Sequence, residues 1–390
     1  MIKVAIVGTG NISTLHIKGL LKFSDKMKIV ALVDIYPEKA QAKKKEFELH
    51  NAVVFSSHKE MLSSGIEIDL VHNCTPPFVH APISIDCMNE GINVLVEKPM
   101  ATCLAECDAM IEASVKNDVV LASVAQNRFQ QSVNKLNKLK NIEIAGKVRV
   151  VHVNSYWWRG ENYYNLWWRG LWEREGGGPT LNHAVHHLDM LNWIQRELPT
   201  EVTAVLANVM HPNSEVEDLS FGILKYQDGS IAQVTSSTVH HGEEQGIDVQ
   251  FENAKISTPF SVAAENSEGN GFPKSNQELI QEIKDTYDNI EDLGQTGHAG
   301  QIEDLLDALI DNRLPKITGI DGRNTIELIS AIYKSGCEKR TISLPLLTTD
   351  PFYSFDGIVK NATRFNKKSI FIENFTQNQI AIGRYEKNAK

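Results

Sequence analysis

The first third of the chain alternates short apolar runs with segments of helical periodicity. Buried parallel strands are predicted for the apolar runs 2–7, 29–33, 53–55, 70–74, 93–97 and 119–124. Helices are predicted for the segments 12–23, 37–48, 58–63, 81–90 and 104–115. This βαβα rhythm is typical of a doubly wound parallel sheet, so the expected fold class is α/β.

The rhythm changes near residue 126. Further strands are predicted over 148–156, 201–208, 218–225, 231–238 and 246–251, and further helices over 180–193, 301–311 and 322–335. Because few helices separate these strands, we expect an α+β domain with a largely antiparallel sheet. We therefore expect three parts: an N-terminal domain over 1–125, a second domain over 126–348, and an irregular C-terminal extension over 349–390 that is partly disordered at its end.

Composition narrows the class of protein. The 390 residues carry a formal net charge of −10, which argues against nucleic acid or an anionic membrane surface as a partner. No apolar run approaches the ~20 residues of a membrane helix, and no signal-peptide pattern is present, so we expect a cytoplasmic protein. The five cysteines show neither a C-x-x-C pair nor a regular spacing, which favours reduced thiols.

A glycine-rich motif, Gly8–Ser13, follows the first strand and opens the first helix. Gly8 permits a tight turn, and Gly10 lets the backbone approach a pyrophosphate at the helix N-terminus. Ser13 takes the place of the third glycine of the usual fingerprint. The second strand ends at Asp34, whose carboxylate can accept hydrogen bonds from the adenosine ribose and would repel a 2′-phosphate. The motif therefore predicts NAD as the cofactor, with NADP disfavoured.

Three later motifs extend this pattern. Glu97-Lys98-Pro99 ends a strand of the parallel sheet, Gly176–Gly178 leads into the histidine-rich segment Leu181–Asp189, and Gly319–Arg323 precedes a helix. Together with the glycine motif, these segments resemble the Gfo/Idh/MocA family of sugar and cyclitol oxidoreductases, from residue 2 to Leu346.

The resemblance implies a Rossmann domain followed by a domain with a large, open, mixed sheet. It implies hydride transfer between NAD(P) and a secondary alcohol of a sugar, sugar derivative or cyclitol, by a protein that forms homodimers or homotetramers. The expected cofactor-binding residues are Gly8, Gly10, Asn11, Ile12, Asp34, Thr75, Pro76, Glu97 and Lys98.

The resemblance also implies catalytic roles. Lys98 matches the lysine near nicotinamide and substrate, where it would orient and stabilise the reacting oxygen, and His186 matches the histidine that acts as acid/base. Asn182 matches a position held by aspartate in many family members and by asparagine in others, and would position the substrate hydroxyl or the histidine. No metal is expected in this chemistry.

The neighbouring histidines must be distinguished from His186. At about 100° per residue, one stripe of a continuous helix would carry Asn182, His186 and Asp189, and another would carry His183 and His187. This geometry favours His186 as the catalytic histidine, His183 at the edge of the site and His187 as structural. The H-x-x-x-H spacing of the last two is that of zinc helices, but no glutamate follows His183 and the pattern offers no third ligand.

An aromatic and arginine-rich segment, 156–172, precedes the glycine run. Its rings are either core and subunit-interface residues or a platform for the apolar face of a sugar, with arginines that grip hydroxyls or a carboxylate. The expected substrate-binding residues are Arg128, Arg159, Tyr163, Arg169, Trp172, His183, Asp189 and His298.

Three functions are compatible with the sequence. The first is an NAD-dependent dehydrogenase of a sugar or cyclitol. The second is a glycoside hydrolase or lyase that oxidises the sugar transiently with NAD. The third is an NAD-binding sensor without turnover, against which the presence of both Lys98 and His186 argues.

Overall fold

The computed structural model describes residues 1–373, which divide into two compact units. The first unit contains residues 1–129 and 293–326, and the second contains residues 130–292 and the chain from residue 327 onward. The segment 293–326 therefore returns to the first unit, whereas the predicted division assigned it to the second domain. The predicted disorder at the extreme C-terminus lies outside the described residues.

The first unit contains a sheet of six parallel strands. These strands are β1 (Ile2–Val7), β2 (Met27–Val33), β3 (Val53–Phe55), β4 (Leu70–Asn73), β5 (Asn93–Val96) and β6 (Leu121–Ser123). Their order, β3-β2-β1-β4-β5-β6, confirms the predicted doubly wound sheet. The order reverses between β1 and β4, and in such sheets the ligand crevice lies at this switch, beyond the carboxyl ends of the strands.

Helices cover this sheet and contribute to the second unit. They are α1 (Ser13–Leu21), α2 (Pro37–Glu46), α3 (His58–Ser63), α4 (His80–Asn89), α5 (Leu104–Lys116), α6 (Gln131–Asn141), α7 (Trp172–Glu175), α8 (Pro179–Asn182), α9 (Val185–Gln195), α10 (Gln277–Asn289), α11 (Gly297–Ile310), α12 (Gly319–Glu338) and α13 (Phe355–Asn361). Across residues 1–373, no helix combines the length and apolar character that crossing a bilayer requires.

The return of α11 to the first unit has a packing cause. Ile17 and Leu20 of α1 and Ile302 and Leu306 of α11 are buried in one apolar core with the strands. A Cβ atom on Gly19 would lie 2.7 Å from Ile302 Cδ1, so the glycine lets the two helices approach closely. Burial of this apolar surface fixes α11 to the Rossmann unit.

The second unit contains a mixed sheet of eight strands. The strands of the second unit are β7 (Val148–Tyr156), β8 (Glu201–Ala207), β9 (Leu219–Lys225), β10 (Ile231–Ser237), β11 (Gln245–Phe251), β12 (Lys255–Thr258), β13 (Ser261–Ala263), the small hairpin β14 (Glu265–Ser267) and β15 (Pro273–Ser275), and β16 (Ile342–Ser343). The large sheet has the order β13-β12-β11-β7-β10-β9-β8-β16, with only the pair β7 and β10 parallel among its neighbours. This arrangement confirms the expected mixed, mostly antiparallel sheet.

One face of this sheet exposes apolar side chains. Val205 on β8 is 63% exposed, and Phe221 and Ile223 on β9 are 44% and 49% exposed. Exposed apolar patches of this kind mark interaction surfaces in many proteins. The expected homodimer or homotetramer stays a prediction, with this face as a candidate interface.

The single helix predicted over 180–193 is wrong. The structure has α8 and α9 separated at His183 and Ala184. The carbonyl oxygen of Pro179 accepts hydrogen bonds from both His183 N–H (3.0 Å) and Ala184 N–H (2.8 Å), so the turn widens to an i→i−5 contact. Asn182 consequently lies on a different helix from His186, and the two do not share a stripe of one continuous helix.

The C-terminal extension is more regular than expected. A short 3₁₀ turn, Pro351–Tyr353, leads into α13, and the chain then packs onto the second unit as far as residue 373. Asn213 holds this last segment, because its Oδ1 accepts hydrogen bonds from Ser369 N–H (2.8 Å) and Ile370 N–H (2.9 Å). The extension is therefore part of the second unit rather than an irregular appendage.

Candidate functional site

The glycine turn after β1 has the geometry that a dinucleotide requires. Gly8 has a φ of +89°, and a Cβ there would lie 2.8 Å from the carbonyl carbon of Cys74. A Cβ on Gly10 would meet nothing within 4 Å, so this part of the turn faces open space that a pyrophosphate can enter. Ser13 is buried, and its Oγ donates to the carbonyl oxygen of Gly10 (2.7 Å). The serine therefore closes the turn in place of the third glycine.

The predicted ribose acceptor, Asp34, lies directly beyond β2. Its Oδ2 accepts hydrogen bonds from Thr9 N–H and Thr9 Oγ–H, both at 2.8 Å, and its Oδ1 accepts one from Tyr36 N–H (3.0 Å). A carboxylate offers about four lone-pair positions, so these three bonds leave room for a ribose hydroxyl. Asn11 is exposed and Ile12 is half-buried between this turn and α1. The first unit thus fits NAD at the predicted residues.

His80, which the sequence reasoning missed, connects the ends of β4 and β5. Its Nε2 lies 2.7 Å from the carbonyl oxygen of Thr75, and its Nδ1 lies 2.9 Å from the carbonyl oxygen of Pro99. Thr75 is half-buried and Pro76 is exposed, as suits loop residues at the cofactor crevice. The only sequence signal was a histidine shortly after a proline pair at the end of a strand.

Glu97, predicted to bind cofactor, points into the first unit instead. It is 3% exposed, and its Oε1 lies 2.8 Å from His16 Nε2 and 3.6 Å from His298 Nε2. Its Oε2 accepts a hydrogen bond from Lys98 N–H (3.0 Å). The structure therefore places the carboxylate in the interior of the first unit, where it holds the backbone of Lys98. His298, predicted at the substrate, joins this buried cluster.

The cluster continues as a chain of hydrogen bonds. His16 Nδ1 lies 2.9 Å from Nδ1 of His72, and both rings are fully buried. Burial lowers the pKa of His16 and of His72, so both are neutral near neutral pH. Burial alone would raise the pKa of Glu97, but the hydrogen bond from His16 and the nearby ring of His298 outweigh it and hold that pKa well below its ordinary value. His16 therefore donates Nε2–H to the carboxylate and accepts from His72 Nδ1–H.

Three of these side chains are also close enough together to hold a metal ion. The ligating atoms of His16, Glu97 and His298 lie within 4.8 Å of one another, and two histidines with a glutamate are a known zinc ligand set. The direct hydrogen bond between His16 and Glu97 accounts for their geometry without an ion. Within residues 1–373, His183 and His187 gain no third ligating side chain.

In the second unit, a buried carboxylate supports the glycine run. Glu217 is fully buried and accepts hydrogen bonds from Gly178 N–H (3.0 Å), Thr180 N–H (3.1 Å) and the hydroxyl of Tyr333 (3.0 Å). A Cβ on Gly178 would lie 2.0 Å from the carbonyl oxygen of Glu217, so no larger residue fits there. Burial raises the pKa of Glu217 to about 7, despite its three donors.

The predicted catalytic segment follows the glycine run that Glu217 supports. Asn182 donates from Nδ2 to the carbonyl oxygens of Gly177 (2.9 Å) and Gly178 (3.2 Å), so its amide secures the glycine run. His186 is half-buried in the first turn of α9, and Asp189 is buried one turn further along the same helix.

The two remaining histidines of this segment differ in their surroundings. His187 is 2% exposed, and burial lowers its pKa to about 4, which suits the structural role expected for it. The ring of His183 lies 5.5 Å from that of Trp157 and 5.9 Å from that of Tyr163. His183 therefore belongs to the aromatic cluster of the second unit.

The arginines predicted at the substrate contact the same rings. The guanidinium carbon of Arg169 lies 4.1 Å from the centre of the Tyr163 ring, and that of Arg159 lies 5.6 Å from it. The structure thus brings together four of the predicted substrate residues, Arg159, Tyr163, Arg169 and His183. Together they form one surface of flat rings and guanidinium groups.

Two of the predicted substrate residues have buried side chains. Trp172 is fully buried, donates from Nε1 to the carbonyl oxygen of Thr363 (3.1 Å) and packs edge-on against Tyr333. Arg128 is 6% exposed and forms an ion pair with Asp321 (2.9 Å) inside the first unit. Both side chains are held in the interior by these contacts.

Comparison with known proteins agrees with this architecture. Residues 2–125 match the family model described as "Oxidoreductase family, NAD-binding Rossmann fold", which makes the protein an NAD-dependent oxidoreductase. Residues 134–257 match the model of the GFO/IDH/MocA C-terminal domain. The two matches together cover more than half of the chain, and the chain belongs to the Gfo/Idh/MocA family.

Individual relatives span several activities. A 2,7-anhydro-N-acetylneuraminate hydratase of Mediterraneibacter gnavus is 27% identical over 63% of this chain, which spans 64% of that relative. A myo-inositol 2-dehydrogenase of Thermotoga maritima is 24% identical over 88% of this chain and 98% of its own length. The solved structure of the WlbA dehydrogenase of Bordetella pertussis, in complex with NADH and UDP-GlcNAcA, is 26% identical, with a TM-score of 0.75 over 89% of this chain and 99% of that chain.

The first prediction concerns the cofactor. Replacing Asp34 by alanine should weaken NADH binding about tenfold, because a charged acceptor for ribose hydroxyls is lost, and should reduce the preference for NADH over NADPH. Fluorescence titration with each nucleotide measures both effects. The exposed Asp25→Ala variant serves as the control, and unchanged nucleotide affinity in Asp34→Ala would contradict the assignment.

The second prediction concerns Glu217. Its pKa in the folded chain, about 7, lies above the ordinary value of 4.5, so its contribution to stability is present at low pH and is lost as pH rises through that interval. The free energy of unfolding of the protein, relative to the Glu217→Gln variant, should therefore fall by roughly 3 kcal/mol between pH 4.5 and pH 7.5. Urea denaturation across this range measures the difference, with exposed Glu161→Gln as the control. A difference that does not vary with pH would refute it.

Proposed function

We propose that this protein transfers hydride between NAD(H) and a secondary alcohol or ketone of a sugar, sugar derivative or cyclitol. The observation that supports the proposal is an NAD-binding fold in a chain that also carries a lysine and a histidine suited to this chemistry. Lys98 stands directly beyond β5 of the NAD-binding unit, and His186 stands in the first turn of α9 of the second unit. The names of the myo-inositol and WlbA dehydrogenases support a sugar or cyclitol as the substrate class.

The proposed chemistry follows from the properties of these side chains. Oxidation of a secondary alcohol removes a hydroxyl proton as hydride leaves the same carbon, and NAD supplies the hydride acceptor when it is bound. His186 takes the proton during oxidation and returns it during reduction, because the ordinary pKa of histidine lies near neutrality. Lys98 donates a hydrogen bond to the reacting oxygen and stabilises the negative charge that develops there.

The supporting residues have positioning roles in this proposal. The Glu97 carboxylate fixes the backbone of Lys98, and Asn182 with Glu217 fixes the glycine run that precedes His186. The aromatic cluster around His183 supplies flat apolar surface for a sugar ring.

A second function is favoured by one specific observation. The relative from Mediterraneibacter gnavus is named a hydratase, and addition of water involves no net oxidation of the substrate. In an NAD-dependent version of such chemistry, NAD would oxidise the sugar transiently, and the oxidised sugar would permit elimination or addition. Hydride returned from NADH to the sugar would then regenerate NAD. The same residues, Lys98 and His186, would serve both reactions.

The third prediction tests the two catalytic assignments. Lys98→Ala and His186→Ala should each lower kcat by about 100-fold or more, because a charge-stabilising donor or a general base is removed. The affinity for NADH should stay within about twofold of the original value, since neither change removes the pyrophosphate-binding turn. Steady-state kinetics and fluorescence titration measure the two quantities, with exposed Lys116→Ala as the control. An active His186→Ala protein would refute the assignment of that histidine.

The fourth prediction separates the two functions. Incubation of the protein with NAD and a panel of sugars, inositols and glycosides should produce NADH in amounts equal to the oxidised product. The absorbance of NADH and chromatography of the products are followed together. Cleaved or hydrated product without accumulated NADH would instead establish the transient-oxidation alternative.

A further inference from the structure

The aromatic cluster of the second unit has two cations at its edge. Trp157 and Tyr163 flank the ring of His183, and the guanidinium carbon of Arg159 lies 5.4 Å from the centre of the Trp157 ring. Arg169 lies over both Tyr163 and Trp168, at 4.1 Å from each ring centre. Flat rings of this kind cover the apolar face of a pyranose. Whether the two arginines are already paired with acids affects which charged groups the rest of the substrate can carry.

Both arginines are already paired with carboxylates of the same unit. Arg159 Nη1 lies 2.6 Å from Oε1 of Glu243, and each of these side chains is 22% exposed. Arg169 Nη1 lies 2.6 Å from Oε1 of Glu175, which is 2% exposed and also accepts a hydrogen bond from Gly170 N–H. A third cation of this region, Lys368, is buried and donates to the carbonyl oxygen of Tyr164.

Two hydrogen bonds hold the carboxylate of Glu243, which directly follows a tight turn. Glu243 has a φ of +51°, a left-handed conformation that costs a non-glycine residue about 1 kcal/mol or more. Its Oε1 accepts hydrogen bonds from Arg159 and from Trp158 N–H (3.2 Å). These two contacts keep the acid against the arginine.

This pairing disfavours an anionic substrate. A sugar carboxylate that approached Arg159 would have to displace Glu243 or lie beside it, and like charges at such separations repel. A sugar hydroxyl has no such cost, because a guanidinium carries five N–H donors and can donate to a hydroxyl while it keeps its carboxylate. The same reasoning applies to Arg169 and Glu175.

We infer that the substrate of the proposed reaction is an uncharged sugar, and that Glu243 sets this specificity by neutralising Arg159. The inference rests on the proposed function, because it names the substrate class of that site. Glu243 acts through Arg159 and is a specificity-determining residue rather than a catalytic one.

The test uses matched pairs of sugars that differ only in one carboxylate, such as glucose with glucuronate and N-acetylglucosamine with its uronate. Affinity for the NADH-bound protein is measured by calorimetry for each member, and turnover with NAD is measured by NADH absorbance and product chromatography. The neutral member of the best-bound pair should be preferred by at least about tenfold.

Charge-removing variants then locate the cause. Glu243→Gln, which frees the charge of Arg159, should improve binding of the carboxylate member about tenfold and leave the neutral member within about twofold. Glu244→Gln removes an exposed acid one residue further along and should change neither. In the double variant Glu243→Gln/Arg159→Gln the gain for the carboxylate member should vanish, because the freed cation is gone.

The outcomes separate this inference from the proposed function. Preference for the carboxylate member in the original protein, or no gain in Glu243→Gln, would overturn the inference while turnover of that sugar upholds the proposed function. Absence of binding and turnover for every member of every pair, together with absence of turnover across the panel of sugars, inositols and glycosides, would overturn both together.

Discussion

Burial of a carboxylate constrains the backbone on both predicted catalytic segments. An ionised carboxylate cannot lie in a protein interior without several donors, and in both units backbone N–H groups are among these donors. Glu97 takes the N–H of Lys98, and Glu217 takes the N–H groups of Gly178 and Thr180. Each acid therefore fixes the path of the chain where the proposed chemistry occurs, and each would leave buried donors unpaired if it moved.

The two units stabilise their buried acids differently. Around Glu97 the partners are histidines, and the carboxylate orients them in sequence: His16 donates to it, and His72 donates to His16. Because the pKa of Glu97 is held low and those of both histidines are lowered, this series of hydrogen-bonded side chains keeps one protonation state near neutral pH. Glu217 has only neutral donors, and its pKa is about 7. Its segment therefore changes protonation state near neutral pH.

The sequence predicted what depends on local pattern. The parallel sheet, the mixed sheet, the turn at Gly8 and the acid at Asp34 follow from periodicity and from neighbours along the chain, and the structure has them in place. The cluster of His16, His72, Glu97 and His298 could not be predicted, because four distant segments must fold before these side chains meet. The return of α11 to the first unit escaped prediction for the same reason.

The sequence could not show which residues near the candidate site are buried or already paired. A tryptophan in an aromatic segment has the same sequence signature whether it lines a site or fills a core, and only packing decided that Trp172 is buried. An arginine likewise suggests an anion-binding residue until its partner in the folded chain is known. Arg128 and Arg159 turned out to be paired with Asp321 and Glu243, and those acids lie far away in sequence. Because a cation's capacity to bind an anion depends on whether it is already neutralised, the pairing of charges in the folded chain says more about anion binding than the number of arginines does.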